Sequence, residues 1–369
     1  MSSTPRIPFI DLRSDRHDPE LRGAIDSVLE RGWFVLGPEV EAFEAEFATA
    51  CGALHAVGVA SGTDAIALAL RAAGIGPGDE VIVPAMTAAY TGLAVIVAGA
   101  TPVIVDVEPE TLTLDPQACA AAVTSRTRAI VPVHLYGQPA DIPALKSLAD
   151  RHALAFVEDC CQSHLATHRG TPVGTLGSAG AFSFYPTKNL GAFGDGGAVI
   201  TDDAALAARV RRLRNGGQTD RYHHAEPGVN SRLDELQAAI LRVRLVHLAD
   251  LTRGRRELAA LYRSLLPPAV TPILERDPGH VYHLFPVRSA ERDALQAHMA
   301  SLGVETFVHY PLPLSKQGAF ANASRHECPV ASRAADELLS LPLHPRLATA
   351  QVTRIAEIVG AFWKGRVLA

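Results

Sequence analysis

The sequence predicts an α/β protein: a large domain on a mostly parallel sheet wrapped by helices, then a smaller C-terminal α/β domain. Three observations predict it. From about residue 55 to residue 200, short apolar runs of strand length alternate with longer amphipathic segments, the rhythm of parallel strands joined by helical crossovers. The 369 residues, 48% hydrophobic and 20% charged, suffice for a large core and two domains. After about Leu251 the character changes, and the expected domains are 1–250 and 251–369.

The elements follow in order. Ile7 to Leu12 reads as extended, and a helix over about Glu20 to Arg31 ends at Gly32. Pro38 opens the next helix, which carries Val40, Phe43 and Phe47 at helical spacing. Trp33 and Phe34, between the two, are expected in the core, with a lid as the alternative. Residues 55–75 read as strand, turn and helix, with the turn at Ser61-Gly62-Thr63-Asp64. A glycine at a helix start leaves free backbone N–H groups that, with the helix dipole, suit a phosphate. A plain N-cap by Ser61 or Thr63 is the alternative.

Strands then follow at 81–84, 102–107 and 129–137, with helices through Gly92 to Ala98, around Pro116 to Val123 and at Ile142 to His152. The apolar run Ala153 to Val157 ends in Glu158-Asp159-Cys160-Cys161-Gln162-Ser163-His164. That is a buried strand delivering acid, amide and imidazole at its carboxyl end, where α/β sheets place their sites. Two more apolar runs, Ala181 to Phe184 and Ala198 to Thr201, flank a loop whose one cation is Lys188. An ammonium held there can be pushed out of bulk water, which lowers a pKa that is ~10.4 when unperturbed. A neutral lysine is a nucleophile able to form a Schiff base; the plain alternative is a surface lysine in a turn.

Residues 203–217 form a helix with Leu206, Val210 and Leu213 on one face, and 218–229 is expected to be a polar loop. A helix from Leu233 packs Leu236, Ile240 and Val243. Arg253, Arg255 and Arg256 begin a long helix that Pro267-Pro268 stops. Then come a strand at 281–288, a helix at Glu291 to Leu302, the strand VETFVHYP, the segment Asp336 to Leu341 leading into LPLHP, and a final helix at Val352 to Phe362.

Composition excludes several classes. A formal net charge of −5 makes no electrostatic case for nucleic acid. The most apolar stretch, Gly92 to Val105, is too short for a membrane span and contains Pro102. The opening residues carry no apolar signal-peptide core, so the expected compartment is the cytoplasm. Five cysteines lack zinc-like spacing, and vicinal Cys160-Cys161 reads as two reduced thiols, with a redox pair as the alternative. Paired His223-His224 have no carboxylate or cysteine pattern beside them, so no metal is expected.

EDCCQSH at 158–164, FSFYPTKNLGAFGDGGAV at 182–199 and GVNSRLDELQAAIL at 228–241 closely resemble the DegT/DnrJ/EryC1/StrS family of pyridoxal-phosphate sugar aminotransferases. The resemblance extends from FVLGPEVEAFEAEFA near the start to CPVASRAADELLSLPLHP near the end. It implies the fold type I of pyridoxal-phosphate (PLP) transferases, with PLP as cofactor. Lys188 would hold the cofactor and Asp159 would sit against the pyridine nitrogen, with a turn acid as its alternative. Gln162 resembles the residue near the ring hydroxyl, and Gly62, Thr63, Asp64 and Ser183 resemble the phosphate site. Asn230 resembles a residue that reaches the phosphate from the neighbouring subunit, which implies a homodimer with shared sites. His164 resembles one lining the active site, with a core histidine as the alternative; Tyr90 and Tyr310 are candidate substrate residues.

Two departures stand out. The family's stacking aromatic falls on Ala88, and PLSKQ at 313–317 stands where members usually read PLHLQ. The implied reaction moves an amino group from an amino acid, glutamate or glutamine, to a keto sugar, most simply nucleotide-linked. The alternatives are keto-inositol amination, elimination or cyclisation, and a non-catalytic PLP-binding regulator. Dehydration is disfavoured, because the resemblance implies histidine in place of the lysine there.

Overall fold

The computed structural model describes residues 6–13, 18–321, 323 and 326–367. Part of the leader reading, residues 1–5 and 14–17, lies outside them. The first helices are α1 (Pro19–Arg31), capped by the Asp18 carboxylate, and α2 (Pro38–Cys51), with proline at the first turn of each. The large sheet takes β1 (His55–Val59), β2 (Glu80–Pro84), β3 (Thr101–Val105), β4 (Thr127–Ile130) and β5 (Ala155–Asp159). Among these run α3 (Gly62–Ala72), α4 (Ala89–Val97), α5 (Pro116–Ala121) and α6 (Ile142–Arg151). A two-residue hairpin, β6 (Thr167–His168) with β7 (Thr171–Pro172), precedes β8 (Ala179–Ser183) and β9 (Gly197–Thr201).

The strand order is β1-β9-β8-β5-β4-β2-β3. Only β9 runs against the others, pairing antiparallel with both β1 and β8. The remaining pairs are parallel, as the alternating pattern predicts. Nearly every residue of these strands is buried, which is why they read as continuous apolar runs rather than alternating ones. Six carboxyl ends therefore share one edge of the sheet, and the chain leaves them at Ser61, Ala85, Asp159 and Ser183 among others.

The chain continues through α7 (Ala204–Leu213), the short hairpin β10 (Gln218–Asp220) and β11 (His223–His224), and α8 (Glu235–Leu265). A small antiparallel sheet follows, from β12 (Thr271–Pro272), β13 (Phe285–Arg288) and β14 (Leu338–Leu341). It packs with α9 (Arg292–Ser301), α10 (Pro329–Glu337) and α11 (Thr349–Val367). Its core joins Tyr262, Phe285, Val287, Leu339 and Val359 to Ile7 from the opposite end of the chain. Ile7 bridges to Val304.

Several expectations are corrected. Trp33 and Phe34 are not core: they are 54% and 47% exposed, on the turn that the left-handed Gly32 starts. The strand expected at 129–137 stops at Ile130, because Pro132 offers no N–H to a ladder and residues 135–137 form a tight 3-10 turn. The strand expected at 281–288 is confined to Phe285–Arg288, and VETFVHYP makes only single bridges, such as Phe307 to Ser340. The segment 218–229 holds a small hairpin rather than a plain loop. The helix from Leu233 and the helix expected at Arg253 are one element of 31 residues, α8, which runs through position 250 without a break. No helix among the described residues is long and apolar enough to cross a membrane.

Candidate active site

A cavity of about 840 Å³ opens at the carboxyl edge of the large sheet. The sheet supplies its floor through Gly62, Thr63, Asp159, Cys161, Gln162, Ser183 and Lys188. The roof comes from His283, Leu284, Phe307, His309, Tyr310 and Leu343, with Phe9 and Ile10 from the start of the chain.

Lys188 is the one lysine or arginine among the described lining residues. It follows the tight turn in which its N–H donates to Tyr185 O at 2.8 Å. Burial, only partly offset by Cys161 and Asp159, lowers its pKa below the ordinary lysine value. A larger fraction of it is therefore neutral than for a surface lysine.

Asp159 ends β5 and is 4% exposed. Its Oδ2 accepts from Thr91 Oγ1 at 2.8 Å, and Thr91 is in turn 2.9 Å from Thr87 Oγ1. Its Oδ1 accepts from Cys161 N at 3.1 Å. A buried carboxylate with two fixed partners is locked in direction, and oxygen lone pairs remain for a cationic N–H in the cavity. Gln162 is held from both ends: its Oε1 accepts from Tyr136 N at 2.7 Å, and its Nε2 donates to Tyr310 Oη at 2.9 Å. An amide nitrogen carries two hydrogens, so one is left for a ligand.

The turn after β1 is a helix start with glycine in it. Ser61 caps α3 by accepting from Asp64 N at 3.1 Å, so the plain capping role is real. The N–H groups of Gly62 and Thr63 stay free of that cap, at the positive end of an 11-residue helix. A Cβ on Gly62 would meet Ser183 Cβ at 2.6 Å and Cys161 Sγ at 2.8 Å, so only glycine lets these three elements converge. The result is a cradle of backbone N–H groups and a serine hydroxyl, shaped for an anion.

The cavity therefore brings together Gly62, Thr63, Asp159, Gln162, Ser183, Lys188, Tyr90 and Tyr310. Tyr90 is 65% exposed at the rim, and Ala88 lines the cavity without a ring. Other expected residues lie elsewhere. The Asp64 carboxylate accepts from Ser231 Oγ at 2.7 Å and does not line the cavity. His164 is fully buried behind the floor, between Phe182 and Phe184, so the core alternative holds. Burial first, and then the charge of Lys188, push its pKa down to about 3. Asn230 is exposed and bridges to Asn215, away from this chain's own cavity. The loop PLSKQ turns its Leu314 into the core, and Ser315, Lys316 and Gln317 are not in the lining.

Sequence reasoning missed Thr91, which orients Asp159, and the roof residues Phe9, His283, Phe307 and His309. It also missed the meeting of His134, Glu158 and Cys160 within 4.8 Å. Glu158 there accepts from Gly174, Leu176 and Gly177 N–H and pairs with His134 Nε2 at 3.0 Å, while Ala140 N donates to His134 Nδ1. These polar groups are consumed in bracing three loops under the site. All five cysteines are free thiols; burial pushes those of Cys160 and Cys161 well above the ordinary value.

Known proteins resemble this chain over nearly its whole length. The profile of the DegT/DnrJ/EryC1/StrS aminotransferase family matches residues 15–360. A Streptomyces venezuelae protein named dTDP-3-amino-3,4,6-trideoxy-alpha-D-glucose transaminase is 50% identical over 99% of this chain and 98% of its own length. A Saccharopolyspora erythraea protein named erythromycin biosynthesis sensory transduction protein EryC1 is 51% identical over 93% of this chain and 95% of its own. The crystal structure of S. venezuelae DesV, solved in complex with a ketimine intermediate, superposes with a TM-score of 0.94. It has 49% sequence identity and covers 97% of this chain and 99% of that one.

Proposed function

The chain belongs to the DegT/DnrJ/EryC1/StrS aminotransferase family, and we propose that this cavity moves an amino group from an amino acid, glutamate or glutamine, to a nucleotide-linked keto sugar. The observation that carries the reading is one partly buried lysine with a depressed pKa, facing a fixed carboxylate and an anion cradle in a single cavity. Enzymes of this family depend on PLP, and the residues fit it. Gly62, Thr63 and Ser183 would take the phosphate, Asp159 the ring nitrogen, Gln162 the ring hydroxyl, and Lys188 would hold the cofactor covalently. When bound, PLP supplies the electron sink for carbanion chemistry.

The chain's own groups do the rest. Asp159, held in direction by Thr91 and the Cys161 N–H, would be the partner of a ring N–H⁺. Lys188 Nζ, when neutral, can take a proton from a substrate carbon and return it elsewhere. Ala88 has no ring to stack on the cofactor, and Tyr90 is the aromatic nearest to it in sequence.

Asn230 belongs to the second half of this reading. It is exposed in the single chain, which supports a homodimer in which each subunit lends Asn230 to its neighbour's phosphate site. Free thiols and the absence of disulfides among the described residues accord with a reducing compartment, the cytoplasm. The test is chemical. Borohydride reduction of cofactor-loaded protein, followed by peptide mass spectrometry, should place the cofactor's mass on Lys188. Lys188→Ala should lose amination of every keto sugar while keeping its circular dichroism and melting profile. A label on another side chain, or wild-type protein that aminates no keto sugar, overturns the proposal.

A further inference from the structure

The turn that carries the anion cradle is fastened at both ends by one side chain from far along the chain. Ser231 is 1% exposed, and its hydroxyl both accepts and donates. Its Oγ accepts from Ala60 N at 3.0 Å, just before the turn, and donates to Asp64 Oδ2 at 2.7 Å, just after it. Ser61, Gly62 and Thr63 lie between those two contacts. Ser231 is itself anchored on the large sheet. Its N–H donates to Arg214 O at 2.8 Å, and Arg214 Nη1 donates to Gly58 O of β1 at 2.6 Å.

The contact to Asp64 bears on how the cradle takes an anion. Ser61-Gly62-Thr63-Asp64 has the form of a capping box, in which the fourth residue's carboxylate reaches back to an N–H at the helix start. Ser61 makes its half of the box, accepting from Asp64 N at 3.1 Å. The Asp64 carboxylate is turned to Ser231; Gly62 and Thr63 line the cavity and Asp64 does not. A carboxylate set loose in the first turn would compete for the N–H groups that an arriving phosphate needs, because both are acceptors favoured at a helix N-terminus.

Resting on the reading that Gly62, Thr63 and Ser183 take the cofactor phosphate, we propose that Ser231 is a positioning residue for that phosphate. Its hydroxyl clamps the turn between Ala60 and Asp64 and holds the Asp64 carboxylate off the cradle. Ser231 does not line the cavity and acts through the turn.

The experiment titrates the whole chain, freed of cofactor, with PLP and separately with pyridoxal, which keeps the ring and the aldehyde and lacks the phosphate. The visible absorption of the bound molecule reads each affinity. Wild-type protein should bind PLP at least about a hundredfold more tightly than pyridoxal. Ser231→Ala should weaken PLP at least about tenfold and move pyridoxal by less than about threefold. The ratio of the two affinities is insensitive to partial loss of folded protein. Ser231→Cys, with a weak S–H donor, should lower that ratio in the same direction. Asp64→Ala added to Ser231→Ala should restore PLP affinity at least about threefold, since it removes the competing carboxylate. Equal losses for PLP and pyridoxal, or no loss for either, overturn the inference and leave the phosphate site standing. A loss for PLP alone that Asp64→Ala does not relieve also overturns it, by tracing the effect to the adjacent Asn230. Wild-type protein that binds pyridoxal as tightly as PLP overturns the phosphate reading itself.

Discussion

Lys188 has a lowered pKa because of where it is held, and Gly62 is glycine because Ser183 and Cys161 come within 2.6–2.8 Å of where its side chain would begin. Gly62→Ala should therefore overpack the cradle, at about 1–3 kcal/mol of stability. It should also weaken PLP binding at least about tenfold, as read by a fluorescence titration. His164 carries a different signature. It is fully buried beside two phenylalanine rings, and its pKa falls from the ordinary 6.5 to about 3. The unfolded chain thus takes up a proton below about pH 6.5 that the native chain refuses until about pH 3. This contribution is fully present above the unfolded value and is lost as pH falls toward the folded one, at about 1.4 kcal/mol per pH unit. His164→Leu should flatten the stability-versus-pH curve between pH 4 and 6 by about that slope, measured by urea unfolding at each pH. Lys188, Asp159, Gly62 and Ser183 stood out in the sequence because each sits in a local motif at a strand end, and the structure gathers all four in one cavity. His164 was not legible, because its neighbour motif reads the same whether the ring faces the cavity or the core behind it.

At the scale of elements, strand ends and helix starts position everything, and side chains from distant segments often finish them. Glu235 opens α8, yet its buried carboxylate accepts from Gly37, Glu39 and Val40 N–H, capping α2 from nearly 200 positions away. Ser61 and Asp141, by contrast, cap their own helices. Glu235→Ala should leave those N–H groups buried and unpaired at a cost of about 2–4 kcal/mol. A drop in the urea midpoint at unchanged m-value would show it; no change would mean that water replaces the cap. The proline-initiated helices and the buried apolar strands could be read from the chain. The early end of β4 could have been read too, since Pro132 cannot join a ladder. The continuity of α8 could not, because charged residues after Leu251 look like a new start when the packing of one face is unknown.

Across the whole molecule, the site is a seam. The large sheet provides Asp159, Gln162 and Lys188, while the opening segment and the last third of the chain provide the roof. If Asn230 acts across a homodimer, mixing Lys188→Ala with Asn230→Ala subunits should restore activity. Each mixed dimer then holds one doubly damaged site and one intact site, giving about a quarter of the wild-type sites at equal mixing. No recovery after verified subunit exchange would place Asn230 in its own chain's site. The sequence by itself determined the α/β plan, because that follows from the rhythm of burial along the chain, and through a family resemblance it pointed to the lysine, the carboxylate and the turn after β1 as site candidates. Only the tertiary structure decided which residues close the cavity and whether a histidine lines it or lies behind it. Phe9 meets Phe307 through packing across some 300 positions, and no local pattern encodes a contact of that range.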